Sequence, residues 1–342
     1  MNTKLSQFSK ENDWIKPLGG LIVLFIACVI FSPISTKGNI IFLKIDNLTN
    51  ILRQVSEIGI IAVGMTLVIL TSGIDLSVGS VLALSATLTA FGVMDWQLGV
   101  FLTVLLAVSA GALIGMLNGA ITSWGKMQSF IVTLAGMTAA RGFALFISDN
   151  HSRNIGFGEM AAPESFKIFT STIFTIPFPV YIFIFITIIF IIILRKMTIG
   201  RYIYAIGSNE KAAVLAGLKV NWVRTIAFTF SGFLAGLAGV IHSAQLYQGN
   251  PNDGAGFELD AIAAVVIGGT NLLGGRGTME GTFFGVLIIG LLSNILGLHG
   301  IEKDFQLMLK GIIIVLAVFV QGQHYQNGIK NIFTKMIKRN QP

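Results

Sequence analysis

Residues Arg195 to Arg224, RKMTIGRYIYAIGSNEKAAVLAGLKVNWVR, form the longest polar interruption in the second half of a chain that is otherwise almost continuously apolar. Apolar runs precede and follow it, at Phe178–Leu194 and Thr225–Tyr247. A bilayer core needs about 20 apolar residues per helix, so both runs predict membrane spans. The stretch between them is therefore predicted to be a loop. Its six basic residues are Arg195, Lys196, Arg201, Lys211, Lys219 and Arg224.

The centre of this loop, Gly207 to Gly217, predicts one short helix. Ser208 or Asn209 can cap its first turn by accepting a hydrogen bond from a backbone N–H. Glu210 lies in that first turn, where the helix dipole favours an anion. Gly217 can adopt the left-handed conformation that ends many helices. Because its alanines are small, this helix can press closely against a partner.

The composition excludes a soluble domain. The chain has 342 residues, of which 54% are hydrophobic and only 11% are charged. Globular domains carry roughly 25% charged residues. The formal net charge is +7, but no basic stripe with interleaved aromatic residues accompanies it, so nucleic acid is not expected as a partner. The single cysteine, Cys28, excludes an internal disulfide framework and a cysteine zinc site.

The pattern of apolar runs predicts an all-α integral membrane protein, a bundle of about ten transmembrane helices. The first run is expected to stay uncleaved, because it is long and no A-x-A site follows it. The eighth run is short and can instead be a re-entrant or broken helix, and the tenth is also short. The predicted spans are Leu18–Ile34, Leu48–Leu70, Leu76–Val93, Leu98–Ile121, Ser129–Ile147, Phe178–Leu194, Thr225–Tyr247, Leu259–Leu273, Gly281–Leu298 and Leu309–Val320.

The distribution of basic residues predicts the orientation. With the N-terminus inside, fifteen basic residues fall in inner segments and five in outer segments. Inner loops of membrane proteins carry the excess of Lys and Arg, so both termini and the loop 195–224 are expected in the cytoplasm. The predicted organisation is a cytoplasmic tail at 1–17, a transmembrane domain at 18–320 and a basic cytoplasmic tail at 321–342. The outer loop 148–177 is either a docking surface or a simple connection.

Two further patterns in the sequence are the spacing of glycines and a loose similarity between two stretches. Glycines recur every four residues from Gly111 to Gly119 and from Gly277 to Gly285, a spacing that permits close approach of helices in lipid. The stretches Leu70–Ser80 and Gly268–Gly277 both place a glycine-containing polar hairpin at the inner end of apolar runs. An internal structural repeat, as found in many transporters, is one interpretation and chance similarity is the other.

The sequence contains no recognisable catalytic machinery. There is no P-loop, no HExxH and no GxSxG, and the four histidines have no metal-ligand spacing. We therefore predict no catalytic residue, no metal site and no enzyme activity on this chain.

Polar groups within predicted spans are costly and are candidates for function. Arg53 and Glu57 are four residues apart, so they form either a structural pair or a site in which Glu57 lines a polar path. Asp75 caps the third span or belongs to the same path. With Thr71 and Asn118, these residues complete the candidates for a path. Elsewhere, Asp260 and Lys310 lie near span ends, where capping or snorkelling explains them.

Four stretches resemble the membrane subunits of ribose-type ABC sugar importers of bacteria. The resemblance covers nearly the whole chain, and the extreme N-terminus and the loop 148–177 match least. The stretches are Gly64–Ser80 (GMTLVILTSGIDLSVGS), Gly200–Glu210 (GRYIYAIGSNE), Glu258–Thr270 (ELDAIAAVVIGGT) and Gly274–Thr282 (GGRGTMEGT).

The resemblance implies a permease of the bacterial cytoplasmic (inner) membrane that moves a pentose, most simply D-ribose. It implies two permease copies, a separate ATP-binding subunit that holds ATP and Mg, and a periplasmic or lipid-anchored sugar-binding protein. No cofactor is then expected on this chain. An ion-coupled secondary sugar transporter is the alternative, although no chain of acids suggests a proton relay. The residues implied to couple to the ATPase are Gly207, Ser208, Asn209, Glu210, Ala212, Ala213 and Gly217.

Overall fold

The computed structural model describes residues 14–34, 38–156, 162–302, 304–313, 315 and 319. The predicted tail 321–342 and most of the predicted tail 1–17 lie outside these residues. The helices are α1 Ile15–Ile30, α2 Ile45–Leu70, α3 Val78–Met94, α4 Gly99–Trp124, α5 Ser129–Ile147, α6 Phe178–Lys196, α7 Thr198–Ser208, α8 Glu210–Leu215, α9 Val220–Leu246, α10 Phe257–Ile267 and α11 Met279–Leu298. Residues 304–313 are also helical.

The bundle consists mainly of long apolar helices. Among the described residues, six helices are long and apolar enough to cross a membrane, and two shorter apolar helices, α1 and α3, accompany them. The six are α2, α4, α5, α6, α9 and α11. This confirms the predicted class, an all-α polytopic membrane bundle.

The prediction of a continuous eighth span at Leu259–Leu273 was wrong. The helix there is α10, which has 11 residues and ends at Ile267. At about 1.5 Å per residue it is roughly 16 Å long, about half of a bilayer core. The length of α10 agrees with the alternative, a re-entrant or broken helix. Of the predicted tenth span Leu309–Val320, the described residues are helical and the remainder lies outside the described part of the chain.

Helices α2 and α9 form the centre of the bundle. In their most apolar windows, 83% of α2 and 72% of α9 are buried, against 28% of α4 and 22% of α5. The helix α9 lies directly against α4 through glycines, because a side chain on Gly115 or Gly232 would collide with the backbone of the opposite helix. The predicted close approach at Gly111–Gly119 is thus confirmed. Gly281 and Gly285 of α11 make the same kind of contact with the end of α10.

The described part of the loop 148–177 is folded. Strand β1, Arg153–Asn154, pairs antiparallel with β4, Gln248–Gly249, which follows α9. A short hairpin of β2, Thr172–Ile173, and β3, Ile176–Pro177, leads into α6. The Arg153 guanidinium makes two hydrogen bonds, of 2.7 and 2.9 Å, to the carboxylate of Asp95 at the end of α3. We call this end of the bundle the β1 end.

The loop 195–224 contains two helices where the sequence predicted one. The predicted short helix is α8, and Asn209 caps it by accepting a hydrogen bond of 3.0 Å from Ala212 N. Gly217 has φ +80°, as expected for a helix stop. The additional helix α7 packs its Ile203 and Ile206 into the core. We call this end of the bundle the α7–α8 end.

Candidate functional site

The helix α8 exposes one face and attaches the other to its own chain. Ala213 is 4% exposed, whereas Ala212, Val214 and Leu215 are exposed, Leu215 to 89%. Glu210 is bound to Arg224 at the start of α9, with 2.7 Å between carboxylate and guanidinium. Of the two predicted contact alanines, only Ala212 is therefore open to a partner. Val214 and Leu215 were not among the predicted contact residues, because apolar residues in a short helix are usually core.

Behind α8, three segments meet at one point that we call the junction: the end of α7, the loop 71–77 and the loop 268–278. Gly275 N donates a hydrogen bond of 3.0 Å to Leu70 O, and Ser72 Oγ donates one of 2.8 Å to Leu273 O. The two polar hairpins that resemble each other in sequence are thus bound to each other. Whether they derive from a duplication stays a prediction.

The end of α7 lies on this pair of loops. Ser208 Oγ donates a hydrogen bond of 3.4 Å to Gly275 O, and a side chain on Gly207 would collide with Leu70 O and Gly275 N. Tyr204 donates a hydrogen bond of 2.9 Å to Gly277 O. Burial, with the Glu280 carboxylate nearby, raises the pKa of Tyr204 to about 12, so its hydroxyl remains a donor. The end of α7 is therefore bonded to both loops, because Ser72 Oγ also donates a hydrogen bond of 3.4 Å to Gly207 O.

The loop 71–77 holds a buried polar network. Asp75 accepts hydrogen bonds from Ser77 N at 3.0 Å, from Ser77 Oγ at 2.6 Å and from Ser231 Oγ of α9 at 2.8 Å. Asn118 Nδ2 of α4 donates to Ser77 Oγ at 3.0 Å. Two of the predicted path residues, Asp75 and Asn118, are thus brought together through Ser77. The network fixes the point at which α3 begins.

The other two predicted path residues, Thr71 and Glu57, have different hydrogen-bond partners. Thr71 is fully buried, and its hydroxyl donates a hydrogen bond of 2.8 Å to Val68 O of its own helix. Glu57 is also buried, and the alternative that pairs it with Arg53 is wrong. Instead Glu57 Oε2 lies 2.8 Å from His242 Nδ1 of α9. Tertiary packing places the imidazole closer than the residue one helical turn away. The role of these residues in a path stays a prediction.

His242 extends this pair into a cluster of three. Its Nε2 lies 3.4 Å from Asp253 Oδ2, so the imidazole bridges the Glu57 and Asp253 carboxylates. Neither His242 nor Asp253 was predicted as a partner of Glu57. An ionisable side chain inside a predicted span was the available signal for His242.

An ion pair corrects the interpretation of Asp260 and Lys310. Asp260 of α10 and Lys310 lie 2.8 Å apart, and both side chains are about 10% exposed. They pair with each other, so capping and snorkelling at span ends do not describe them. The pair joins the half-length helix α10 to helical residues 304–313.

Several long apolar helices surround the polar loop 71–77 and the half-length helix α10. This arrangement is typical of one class, the multi-pass membrane transport proteins. The chain belongs to the family described as "branched-chain amino acid transport system / permease component", whose model matches residues 47–318. It is a permease by this membership, which agrees with a transport subunit and not with an enzyme.

Curated relatives have more specific names. The ribose import permease protein of Haemophilus influenzae is 44% identical over 87% of this chain and 92% of its own length. That of Escherichia coli K12 is 42% identical over 91% and 95%, and that of Bacillus subtilis 44% over 90% and 92%. The resemblance to ribose-type importer permeases is thereby confirmed. No solved structure matches the chain.

Proposed function

We propose that this chain is the membrane-spanning permease subunit of an ATP-binding-cassette importer for a pentose, most simply D-ribose. The observation that carries the proposal is the identity of 42 to 44% to ribose import permease proteins over nearly the full length of both chains. The family description names branched-chain amino acids, so these are the competing cargo in any test.

The proposal includes three protein partners. A separate ATP-binding subunit hydrolyses ATP with Mg, an extracytoplasmic protein delivers the sugar, and a second copy of this chain completes the transporter. The protein lies in the bacterial inner membrane with the α7–α8 end in the cytoplasm. The excess of basic residues in the segments assigned to that side supports this orientation.

The junction supports a route for coupling. The exposed residues Ala212, Val214 and Leu215 form the face of α8 that the ATP-binding subunit contacts. A displacement of α8 moves α7, and α7 is in contact with the loops 71–77 and 268–278. These loops precede α3 and α11, so one motion reaches two parts of the bundle. The glycine contacts at Gly207 and Gly275 leave no side chain between the moving parts to absorb the displacement.

The experiment is reconstitution of the purified transporter in liposomes with its ATP-binding subunit and sugar-binding protein. We expect uptake of radiolabelled ribose that requires ATP on the side of the membrane that holds the ATPase, and competition by unlabelled ribose but not by leucine. Uptake of leucine in place of ribose would contradict the proposed cargo. Uptake driven by a proton or sodium gradient without ATP would contradict the proposed class.

The cluster of Glu57, His242 and Asp253 favours one second candidate, a proton-coupled carrier, because titratable groups inside spans are the usual proton sites of such carriers. The same liposomes test it. With no ATP present, a proton gradient should drive uptake if the carrier is right, and should drive none if the importer is right.

A further inference from the structure

The segment between α9 and α10 runs into the bundle without regular structure. Strand β4 ends at Gly249, and no helix begins until Phe257. Gly249 packs against α3 near Ala86 and Ala90, and Gly254 packs against α3 at Gly79. Since α3 rises about 1.5 Å per residue, these contacts are roughly 12 Å apart along its axis. The segment 250–256 therefore descends along α3, away from the β1 end.

This descent takes the segment deep into the membrane. Gly79 lies fifteen residues before Met94, the last residue of α3, which corresponds to about 22 Å of helix. The charged pair of Asp95 and Arg153 and the exposed Trp96 mark the membrane boundary at that end. A hydrocarbon core is about 30 Å thick, so Gly254 lies well inside it.

The segment is nevertheless open to its surroundings. Asn252 and Ala255 are exposed, and Asp253 and Gly256 are partly exposed. Irregular backbone cannot face lipid at this depth, because its unpaired N–H and C=O groups would find no hydrogen-bond partner in hydrocarbon. The exposed side of segment 250–256 therefore faces either water or another protein surface.

The charged side chains around segment 250–256 favour contact with water over contact with another protein surface. Arg141 of α5 donates hydrogen bonds from Nη1 to the backbone carbonyls of Pro251 and Asp253, the latter at 2.7 Å. Glu258 Oε1 accepts a bond of 3.3 Å from Gly256 N. Arg141, Asp253 and Glu258 are all partly exposed. Charged residues are depleted from the core of protein interfaces, whereas in membranes they mark the pathways of substrates.

We propose that segment 250–256, with Arg141 and Glu258, lines the aqueous path and contacts the sugar as it passes. The identity of the cargo rests on the proposed function. The chemistry fits a neutral polyhydroxylated ligand. The carboxylates of Asp253 and Glu258 can accept hydrogen bonds from sugar hydroxyls, and Arg141 has N–H donors beyond those on Nη1. His242 Nε2 lies 3.4 Å from Asp253 Oδ2.

The test uses introduced cysteines. Cys28 is buried and is the sole cysteine, so a Cys28→Ser parent has no thiol. In this parent, Asn252→Cys and Ala255→Cys place a thiol on the segment, and Phe185→Cys is the matched control, 65% exposed near the middle of α6. A charged, membrane-impermeant methanethiosulfonate reagent is applied to the assembled transporter in membranes, with and without ATP and ribose.

We expect both segment cysteines to react about tenfold or more faster than the control in at least one nucleotide state, because the reactive thiolate forms in water. Ribose should slow the reaction, and the modified protein should lose uptake. Reaction no faster than that of Phe185→Cys in every state would place the segment against protein and overturn the proposal. Fast reaction without loss of uptake would place it in water outside the path, which also overturns it.

Reactivity does not depend on the cargo, so the two proposals fail separately. In one outcome, the Cys28→Ser parent transports another cargo and not ribose. In the same experiment, the segment cysteines react rapidly and the reagent blocks uptake of that other cargo. The path then stands and the sugar proposal fails.

Discussion

At the scale of single residues, the buried carboxylate of Asp75 explains how the loop 71–77 between α2 and α3 keeps a fixed position. Its two oxygens accept three hydrogen bonds, two from Ser77 and one from Ser231 on another helix. Each lost bond to this carboxyl group leaves a buried polar group unsatisfied. Asp75 therefore determines both where α3 begins and how the loop is held against α9.

Replacing Asp75 with Asn should destabilise the protein without changing side-chain volume. The amide keeps one acceptor oxygen, so the bonds of Ser77 or that of Ser231 are lost. We expect the free energy of unfolding to fall by about 1–3 kcal/mol. Thermal unfolding of the purified protein in detergent measures this. Thr138→Val is the control, because that hydroxyl is exposed and bonds only within α5. An unchanged transition temperature for Asp75→Asn would contradict a positioning role.

The substitution Glu57→Gln distinguishes a structural role from a coupling role. The introduced amide can still accept a hydrogen bond from His242 through its oxygen, but it cannot titrate. If the cluster is structural, we expect ribose uptake to fall only partly and to remain dependent on ATP. Complete loss of uptake in a normally folded protein would instead favour a role in the path. Arg53→Gln, which lies one turn away and has no ion pair in the described structure, should leave uptake unchanged.

At the scale of elements, α8 has one face for its own chain and one for a partner. The buried Ala213 and the Glu210–Arg224 pair attach it to α9, and its remaining residues are exposed. A helix of 6 residues is too short to be stable alone, so these attachments and the Asn209 cap must hold it.

The neighbouring alanines of α8 offer a matched pair of substitutions. Ala212→Arg adds bulk to the exposed face, so we expect uptake and copurification of the ATP-binding subunit to be lost with unchanged thermal stability. Ala213→Arg forces a charge into the core, so stability should fall as well. Copurification assays and thermal unfolding of both variants give the comparison. Normal uptake by Ala212→Arg would remove this face of α8 from the proposed contact.

Local chemistry decides which of these elements could be predicted. The cap at Asn209, the stop at Gly217 and the glycine spacing of α4 are encoded within a few residues, and the structure confirms them. The end of α10 was missed because the apolar composition continues past Ile267 into a glycine-rich loop. The bridge from Glu57 to Asp253 through His242 depends on how segment 250–256 enters the bundle. No local pattern encodes that path.

At the scale of the whole molecule, the junction is where the two halves of the chain meet. Loop 71–77 belongs to the first half and loop 268–278 to the second, and α7 lies on both. The junction transmits motion only if its backbones stay in contact. Gly275 is a demanding position in it, because it has φ +71° and a side chain there would collide with Ser208.

Gly275→Ala should therefore separate ATP hydrolysis from transport. We expect uptake to fall about tenfold or more while hydrolysis by the assembled complex continues, since the added methyl group displaces α7 and an L-residue at this φ costs roughly 1–2 kcal/mol. Gly269→Ala is the control. It imposes the same kind of backbone strain at φ +91°, but nothing lies within 4 Å of the added atom. Equal losses of uptake in both variants would mean that strain alone, and not the junction, is responsible.

The glycine contact between α4 and α9 has a mechanical consequence. Packed helices slide past one another in small shear motions, and changes in the side chains between them accommodate the movement. Where Gly115 meets Phe228 and Gly232 meets Gly111, the backbones are in direct contact, so no side chain between them can adjust. We therefore expect the helices α4 and α9 to move as one rigid unit during transport.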